Sequence, residues 1–347
     1  MLTCTLSGIV LGIGTIDLYV LDSDSPNGNG DLIYASVTTV QVSASGNLSA
    51  SPNPLQPNSA NNASPLPAPF VTSAPGGVQL TQYLLPQSHN PNTSTLGPDG
   101  KIWYSTGNHI AQIPYQIGRF DQVADTLQLW SAVIPSAISS TQTSVGNMIA
   151  GPDDAVWYTV SNENGQQGLN RISLSGTVTP DTILCNCGFD ALTLGSDGNI
   201  WAMFDNSTSL AAFGVPPDGE SNVCSNPEPG YNNSLTTGPD GALWTVQSQT
   251  IWRMTTSCSA TAVATTPTNS VLLSIASAGG YLWAYDANRA VIARFTTSGS
   301  ETDYALNTAP FAGSNGFATS QTSPYVYFSV GTSIGRINIS TGAVQQY

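Results

Sequence analysis

Gly97-Pro98-Asp99-Gly100-Lys101-Ile102-Trp103 is the stretch that decides the fold of this 347-residue chain, because the chain repeats it. Three clear copies follow at 151–157, 195–201 and 238–244, and two weaker ones end at Trp283 and Tyr327. The aromatic residues that end successive copies are 54, 44, 43, 39 and 44 residues apart. A period of about 40–45 residues, with a turn ahead of an apolar strand, is typical of a β-propeller blade.

One repeat unit combines tight turns with short strands. Pro presets φ, Asp hydrogen-bonds its own backbone and Gly accepts a positive φ, so Pro-Asp-Gly predicts a turn. The residues that follow, such as Ile102-Trp103-Tyr104, are β-branched or aromatic and favour a strand. An arginine forms a second landmark, at Arg119, Arg171, Arg253, Arg294 and Arg336, and Ala212 replaces it in the third unit. Because one blade cannot bury its faces alone, we predict an all-β propeller of six four-stranded blades, with a seventh if the N-terminal segment completes one.

Composition narrows the choice of partners and location. Charged residues make up 8% of the chain and the net charge is −14. Such an acidic protein repels nucleic acid, and the first apolar run is too short for a membrane span. Ser, Thr, Asn, Gly and Pro stand where Lys and Glu are usual, which favours an extracellular or cell-surface location. The N-terminus lacks the charged region of a signal peptide, so we expect that any export leader was removed or was never part of this sequence.

Cysteines and glycosylation sequons suit that location. Four cysteines fall at the ends of consecutive units, and we expect one or two disulfides among Cys185, Cys187, Cys224 and Cys258. Cys4 is then left over, either free or available for an intermolecular bond. The spacing of Cys185 and Cys187 is not that of a zinc or redox motif. Six Asn-X-Ser/Thr sequons are candidates for glycosylation: Asn47, Asn62, Asn92, Asn206, Asn232 and Asn338.

The repeat is absent before residue 78, which predicts strands at 1–49, a Pro/Ser/Asn-rich linker at 50–77 and the propeller at 78–347. Asn-Gly between apolar runs at 27–30 predicts a hairpin within the first region. Seven apolar residues stand at consecutive positions and need burial on both faces of a strand: Ile9, Val10, Leu11, Leu18, Tyr19, Val20 and Leu21. Their burial contributes roughly 10–20 kcal/mol, which so short a segment cannot provide alone.

Two docking sites stay open for residues 1–49. The segment completes a seventh blade of its own chain, together with the strand at 78–83, or it docks on a neighbouring subunit by strand addition. The strand at 78–83 resembles that at 343–347, so six full units carry one strand more than they need. The linker is long enough for either alternative.

Residues 78–347 resemble the virginiamycin B lyase (streptogramin lyase) family of β-propellers. Units of that family run Gly-Pro-Asp-Gly-x-hydrophobic-Trp, then Ile-Gly-Arg-Ile, then Thr-Gly-x-hydrophobic-x-x-Tyr, as at 97–103, 334–337 and 341–347 here. The resemblance implies a propeller fold and the opening of a cyclic depsipeptide by elimination. It also implies a magnesium ion held near the propeller axis with histidine and glutamate.

The catalytic positions of that family are not matched. Its glutamate slot, three residues past the Trp, holds Thr106, Val160, Phe204, Gln247, Asp286 and Val330. Its histidine slot, five residues before the turn glycine, holds Asn92, Gly146, Asp190 and Asn233 in the four clear copies. General-base chemistry on this plan needs a histidine and carboxylates around a cation. We therefore predict no catalytic residue, no cofactor and no lyase activity.

Weaker candidates for metal ligands are His89, Asp190 and Asp286. The usual interpretation of such residues is that they are ordinary side chains of loops and turns. His89 and His109 are the only histidines, and they lie 20 residues apart. The four turn aspartates, Asp99, Asp153, Asp197 and Asp240, could ring a cation, but their place in Pro-Asp-Gly favours turn capping.

The leading hypothesis is a secreted, non-catalytic propeller that acts as a binding or self-assembling subunit of a surface or extracellular filament. Residues 1–49 are then the subunit contact, and the partner is another copy, with a glycan or peptide ligand also compatible. One alternative is a divergent metal-dependent lyase or hydrolase. Another is a carbohydrate-binding propeller that uses exposed aromatic residues such as Trp130 and Trp252.

Overall fold

The computed structural model describes seven short strands before residue 83, and residues 91–106, 116–132, 143–162, 167–180, 188–205, 209–213, 220–225, 234–307, 315–319, 323–331 and 333–346. Every regular element in these residues is a β-strand, which confirms the predicted all-β class. No helix among them is long and apolar enough to cross a membrane. Side chains are described only from Thr93 onward, and only for part of these residues.

The chain divides into two compact units, Met1–His89 with Val123–Gln128, and Asn90–Gln122 with Leu129–Tyr347. The strands of the first unit before residue 90 are β1 (Val20–Asp22), β2 (Asp31–Ile33), β3 (Gln41–Val42), β4 (Leu48–Ser49), β5 (Ser64–Pro65), β6 (Phe70–Ala74) and β7 (Val78–Gln82). β1 pairs with β2 as an antiparallel hairpin, as predicted, and β3 pairs with β4 and β6 with β7. Two strands thus lie inside the predicted linker, because backbone pairing requires no large side chain. The proposed boundaries at residues 49 and 77 stay predictions.

Six antiparallel sheets follow, here numbered blades 1 to 6; each contains four consecutive strands, and β5 adds a fifth strand to the sheet of blade 1. Blade 1 is β8 (Pro91–Leu96), β9 (Ile102–Thr106), β10 (Gln116–Asp121) and β11 (Thr126–Ser131); blade 2 is β12 (Thr143–Ala150), β13 (Ala155–Asn162), β14 (Gln167–Ser173) and β15 (Val178–Pro180). Blade 3 is β16 (Gly188–Leu194), β17 (Ile200–Asp205), β18 (Ser209–Phe213) and β19 (Glu220–Ser225); blade 4 is β20 (Leu235–Thr237), β21 (Leu243–Gln247), β22 (Thr250–Met254) and β23 (Ala260–Thr265). Blade 5 is β24 (Leu272–Ala278), β25 (Tyr281–Asp286), β26 (Val291–Phe295) and β27 (Glu301–Ala305); blade 6 is β28 (Asn315–Ala318), β29 (Tyr325–Val330), β30 (Ser333–Asn338) and β31 (Val344–Gln346).

The blades form a β-propeller, as predicted. Strands lie side by side in sequence order within each blade. The first strand of each blade contacts the first strand of the next, from β8 through β12, β16, β20 and β24 to β28. Radial repetition of four-stranded meanders around such a row of first strands is the propeller architecture, in which the first strand is innermost.

The tryptophan of the repeat is the centre of the contact between one blade and the next. Five of these side chains are fully buried: Trp103, Trp157, Trp201, Trp244 and Trp283. Trp103 clusters with Tyr158 of blade 2, and Trp283 clusters with Phe328 of blade 6. Burial of an indole removes about 150–250 Å² from water, or roughly 4–6 kcal/mol of transfer free energy. The repeated residue therefore holds successive blades together.

Hydroxyl groups on the inner strands add polar contacts between blades. The Thr237 hydroxyl donates to the Leu194 carbonyl at 2.6 Å, from blade 4 to blade 3. The Ser234 hydroxyl accepts from the Ile275 amide at 2.8 Å, which joins blades 4 and 5. Near the centre of a propeller the strands converge, so short Ser and Thr side chains fit where longer polar ones would not.

Candidate functional site

The repeated turn is a three-residue hairpin loop between the first two strands of a blade. In blade 1 the Gly100 amide donates to the Gly97 carbonyl at 3.0 Å, and the Gly97 amide donates to the Lys101 carbonyl at 2.8 Å. Gly100 has a φ of 71°, and Asp154 takes the same place in blade 2 at 54°. A turn followed by a left-handed residue is a common hairpin loop, and it confirms the predicted Pro-Asp-Gly chemistry.

The turn aspartate binds the tryptophan and the arginine of its own blade. In blade 1 Trp103 Nε1 donates to Asp99 Oδ1 at 3.0 Å, and Arg119 Nε donates to Asp99 Oδ2 at 2.6 Å. Trp103 and Arg119 are opposite each other on β9 and β10, so one carboxylate reaches both. The same two contacts among three residues, here called the Asp–Trp–Arg triad, recur at Asp153 with Trp157 and Arg171 and at Asp240 with Trp244 and Arg253.

The triads of blades 1 and 4 lower the pKa of their aspartates. Burial by itself would raise the pKa of Asp99, but hydrogen bonds from Trp103 and the Lys101 amide and the charge of Arg119 outweigh burial and lower the pKa. The pKa of Asp240 is lowered in the same way, against the effect of burial, by Trp244 and Arg253. These carboxylates are engaged by their own blades, which confirms turn capping as their role in blades 1 and 4.

Blade 3 lacks the arginine, and an amide takes its place. Ala212 stands opposite Trp201 where the other blades carry arginine. Trp201 Nε1 lies 3.1 Å from Asp197 Oδ1 and 3.2 Å from Oδ2, and Asn199 Nδ2 donates to Oδ2 at 3.0 Å. Asp197 thus keeps hydrogen bonds to both oxygens without a cation.

The first glycine of the repeat has a role that sequence reasoning missed. A Cβ atom on Gly97 would lie 2.3 Å from Trp103 Cδ1 and 2.4 Å from its Nε1, well inside van der Waals contact. The corresponding glycines of blades 2 to 4, Gly151, Gly195 and Gly238, are equally close to their own tryptophans. The signal in the sequence was the constant spacing from this glycine to the tryptophan.

The catalytic slots implied by the family resemblance meet at one end of the inner hairpin. The histidine slot coincides with a β-bulge in blades 1 to 3, where the register shifts between Pro91 and Thr93, between Val145 and Met148, and between Phe189 and Ala191. The residue before each bulge pairs with the glutamate slot, so that Val145 lies opposite Val160. Because a bulge redirects the side chain it carries, this end of the inner strands is the candidate functional site.

Among the described residues of the glutamate slot, four are buried and Gln247 is partly buried. Thr106 is 3% exposed, and its hydroxyl accepts from the Gln116 amide at 3.3 Å. Val160 and Val330 are buried and apolar. At the histidine slot the side chains of Asn92, Asp190 and Asn233 lie outside the described residues, as do His89 and His109.

Asp286, the acidic residue at the glutamate slot, belongs to an ion cluster in blade 5. Its Oδ1 accepts from the amides of Val271, Asn288 and Arg289 at 3.1–3.2 Å, and its Oδ2 accepts from Arg289 Nε at 2.6 Å. The same guanidinium contacts Glu301 and Asp303, each at 2.6 Å.

The pKa shifts of Asp286 and Glu301 in this cluster have opposite directions. Burial would raise the pKa of Asp286, but the hydrogen bonds from Arg289 and the backbone amides outweigh it and lower the pKa. Burial, reinforced by the neighbouring Asp303, raises the pKa of Glu301 despite its contact with Arg289. A cation at Asp286 would have to displace the bound guanidinium. In the described part of the chain, no three His, Cys, Asp or Glu side chains are grouped as a metal site.

Trp130 is not the exposed aromatic residue that the carbohydrate alternative requires. It is 6% exposed and stacks on Trp103 with ring centroids 5.2 Å apart and planes 9° apart. The prediction was wrong because the outer strand β11 packs this side chain into the contact with blade 2. Trp252 is partly buried, and its Nε1 has no hydrogen-bond partner among the described residues.

The modification candidates are described at two positions. Cys258 stands at a φ of 69° in a turn where blade 5 carries Gly299 at 91°. Asn338 Oδ1 accepts from the amides of Ser340 and Thr341 and from the Ser340 hydroxyl, and so closes the turn before β31. The side chains of the other four cysteines and five sequon asparagines lie outside the described residues. Disulfides and glycosylation stay predictions.

Solved structures share this fold. A streptogramin B lyase matches with a TM-score of 0.60 and 24% identity, over 76% of this chain and 84% of that one. The virginiamycin B lyase of Staphylococcus aureus matches with a TM-score of 0.59 and 18% identity, over 90% of this chain and 95% of that one. A putative 6-phosphogluconolactonase of Bacteroides uniformis matches with a TM-score of 0.59 and 15% identity, over 78% and 87%. These matches support a streptogramin-lyase-like β-propeller fold, as the sequence resemblance implied. No protein-family model matches the chain, and no curated protein matches it in sequence.

Proposed function

We propose that this chain is a non-catalytic propeller that works as a binding or self-assembling structural subunit, exported to the cell surface or beyond. The observation that supports this most is the state of Asp286. It is the acidic residue at the glutamate slot, it is fully buried, and its oxygens are held by Arg289 and three backbone amides. A carboxylate that a mechanism uses must be free to bind a cation or a proton during turnover.

Residues 1–49 are proposed as the contact between subunits. Their consecutive apolar residues, including Ile9 to Leu11 and Leu18 to Leu21, require a partner surface. An assembly of identical copies requires no cofactor and is compatible with an acidic chain that repels nucleic acid. Glycan or peptide ligands are further partners that this proposal allows.

Deletion of residues 1–49 tests the assembly. We expect the wild-type chain to form oligomers or filaments, visible by electron microscopy, and the deletion variant to sediment as a monomer. Circular dichroism must show that the variant keeps its β-structure. A folded deletion variant with the wild-type mass would contradict the proposal.

A divergent metal-dependent lyase or hydrolase is the second candidate. Two observations favour it: the β-bulges at the histidine slot, and the fold shared with lyases and a putative lactonase. It predicts that Mg²⁺ supports turnover of a streptogramin B depsipeptide and that Asp286→Asn, which keeps the side-chain shape, abolishes it. Turnover lost in this way would favour the enzyme, and a rate that does not exceed the uncatalysed one would count against it.

Disulfides are part of the proposed extracellular setting. Cys258 occupies a left-handed position that blade 5 gives to glycine, and a non-glycine residue there costs about 1 kcal/mol. A bond made by the side chain would offset that cost. Peptide mapping of the secreted, unreduced chain should identify Cys258 joined to Cys185, Cys187 or Cys224; a free thiol at Cys258 would contradict this.

A further inference from the structure

Blade 6 is buried on one face only. Along β29 the side chains alternate, with Val326, Phe328 and Val330 buried and the residues between them exposed or partly exposed. The corresponding strand of blade 5, β25, is buried from Leu282 to Asp286 without alternation. A strand with one buried face presents the other to solvent or to a partner.

The exposed face is the one that tryptophan occupies in the other blades. Tyr327 stands opposite Arg336, as Trp283 stands opposite Arg294. Trp283 is fully buried because blade 6 packs against it, whereas Tyr327 is 43% exposed. Blade 6 therefore presents a surface of the kind that, in blades 1 to 5, the next blade covers.

This surface is apolar enough to bind a partner. We call it the open face and define it by Tyr325, Tyr327, Ser329, Ile334 and Arg336. Tyr327 and Ile334 supply two of the four large hydrophobic side chains that are exposed in the described part of the chain. Arg336 lies over the Tyr325 ring at 4.4 Å, which leaves a cation beside the aromatic pair. Apolar side chains grouped on one face indicate an interaction site.

We propose that the open face binds residues 1–49 of a second copy of the chain, so that their strands take the place of a following blade. This inference rests on the proposed function and names the surface that the assembly uses. Tyr327 and Ile334, which are 43% and 44% exposed, are the apolar side chains that this contact would cover.

Charge and shape both fit this occupant. Residues 1–49 contain four aspartates and no lysine or arginine, so the segment is acidic where the open face carries Arg336. Its hairpin of β1 and β2 already has the antiparallel form of two blade strands. A strand that lies between two blades is buried on both faces, which is what the consecutive apolar residues of this segment require. The contact joins two different surfaces, so it propagates from copy to copy into a ring or a filament.

The test compares two acidic variants of the full-length chain. Tyr327→Asp with Ile334→Asp places carboxylates on the open face, and Val123→Asp is the control because Val123 is 94% exposed in the turn between β10 and β11 of blade 1. We expect the double variant to weaken association by roughly 10- to 100-fold, measured by sedimentation, and the control to associate as the wild type does. Thermal unfolding must show that both variants remain folded. Should the double variant fail to fold, Tyr327→Ser alone, with a lower expected loss, replaces it.

Cross-linking identifies the occupant. A photoreactive amino acid at position 327 in an unlabelled chain is mixed with ¹⁵N-labelled chain, and we expect products that join position 327 to labelled residues 1–49. Products within one copy would overturn the inference, because the segment would then complete its own seventh blade. A double variant that assembles normally, while the 1–49 deletion does not, would overturn it and leave the proposed function standing. A wild-type chain that is monomeric would overturn both.

Discussion

Asp240→Asn removes the charge of one Asp–Trp–Arg triad and leaves its shape. Asp240 Oδ1 accepts from Trp244 Nε1 at 2.8 Å, and Oδ2 accepts from Arg253 Nε at 2.6 Å. An asparagine still accepts the indole proton through its oxygen. Its NH₂ group then faces the Arg253 guanidinium, and two donors meet with no acceptor between them.

The magnitude follows from the exposure of the pair. A hydrogen bond to a charged group contributes about 1.5–3 kcal/mol, but the side chains of Asp240 and Arg253 are 24% and 31% exposed, so solvent screening lowers the value. We expect Asp240→Asn to lower the free energy of unfolding by about 1–2 kcal/mol. Asp197→Asn in blade 3 is the matched control, because its carboxylate binds Trp201 and Asn199 and no arginine. Since the Asn199 amide can rotate to offer its oxygen, we expect the control to cost less than about 0.5 kcal/mol.

Urea unfolding at pH 7, monitored by tryptophan fluorescence, measures both variants against the wild type. Equal slopes with different midpoints would assign the difference to stability alone. A control variant that loses as much stability as Asp240→Asn would refute the argument, because the arginine would then contribute nothing that an amide does not.

Three further predictions concern other contacts. Gly97→Ala should lower the free energy of unfolding by about 1–3 kcal/mol, measured by urea unfolding, because the new methyl group overlaps the Trp103 indole. Trp130→Ala should cost about 3–5 kcal/mol in the same assay and leave glycan-array binding unchanged, because the side chain is core. Glu301→Gln should reduce the loss of thermal stability between pH 4 and 7, because burial and Asp303 raise the pKa of Glu301. A raised folded-state pKa adds stability that is complete below the unfolded pKa and is lost as pH rises through the folded value.

Controls separate these effects from general damage. Gly100→Asn should be tolerated within about 1 kcal/mol, because blade 2 carries Asp154 at the same left-handed position. If this variant lost as much stability as Gly97→Ala, the close approach to the indole would not be the cause. Parallel pH profiles of the wild type and Glu301→Gln would contradict the assigned pKa shift. If Trp130→Ala were about as stable as the wild type, the assignment of Trp130 to the core would be contradicted.

Much of the propeller could be predicted because its information is local. A turn of Pro-Asp-Gly depends on backbone preferences within four residues, and the strand after it depends on the residues that follow immediately. Repetition then implies stacking, since no single blade buries both faces. The hairpin of β1 and β2 was predicted on the same grounds, from Asn-Gly between apolar runs.

The candidate site was predictable only in position. Sequence spacing located the two catalytic slots, and the structure placed the histidine slot in a bulge directly after the residue that pairs with the glutamate slot, as Gly146 follows Val145, which lies opposite Val160. Sequence spacing did not reveal that Asp286 is bound by Arg289 and three amides, because those donors come from the chain before β24 and from the turn after β25. The same limit explains Trp130, which sequence could not distinguish from an exposed aromatic residue.

The sequence by itself determined the blade: its turn, its strands and the aromatic residue at its centre. Tertiary structure alone decided what covers each blade, since Trp103 and Tyr327 occupy the same place in their repeats and only the first is buried. The reason is physical. Strand formation depends on neighbours within a few residues, whereas burial of a face depends on a surface supplied by another blade, or, as we propose for blade 6, by another copy of the chain.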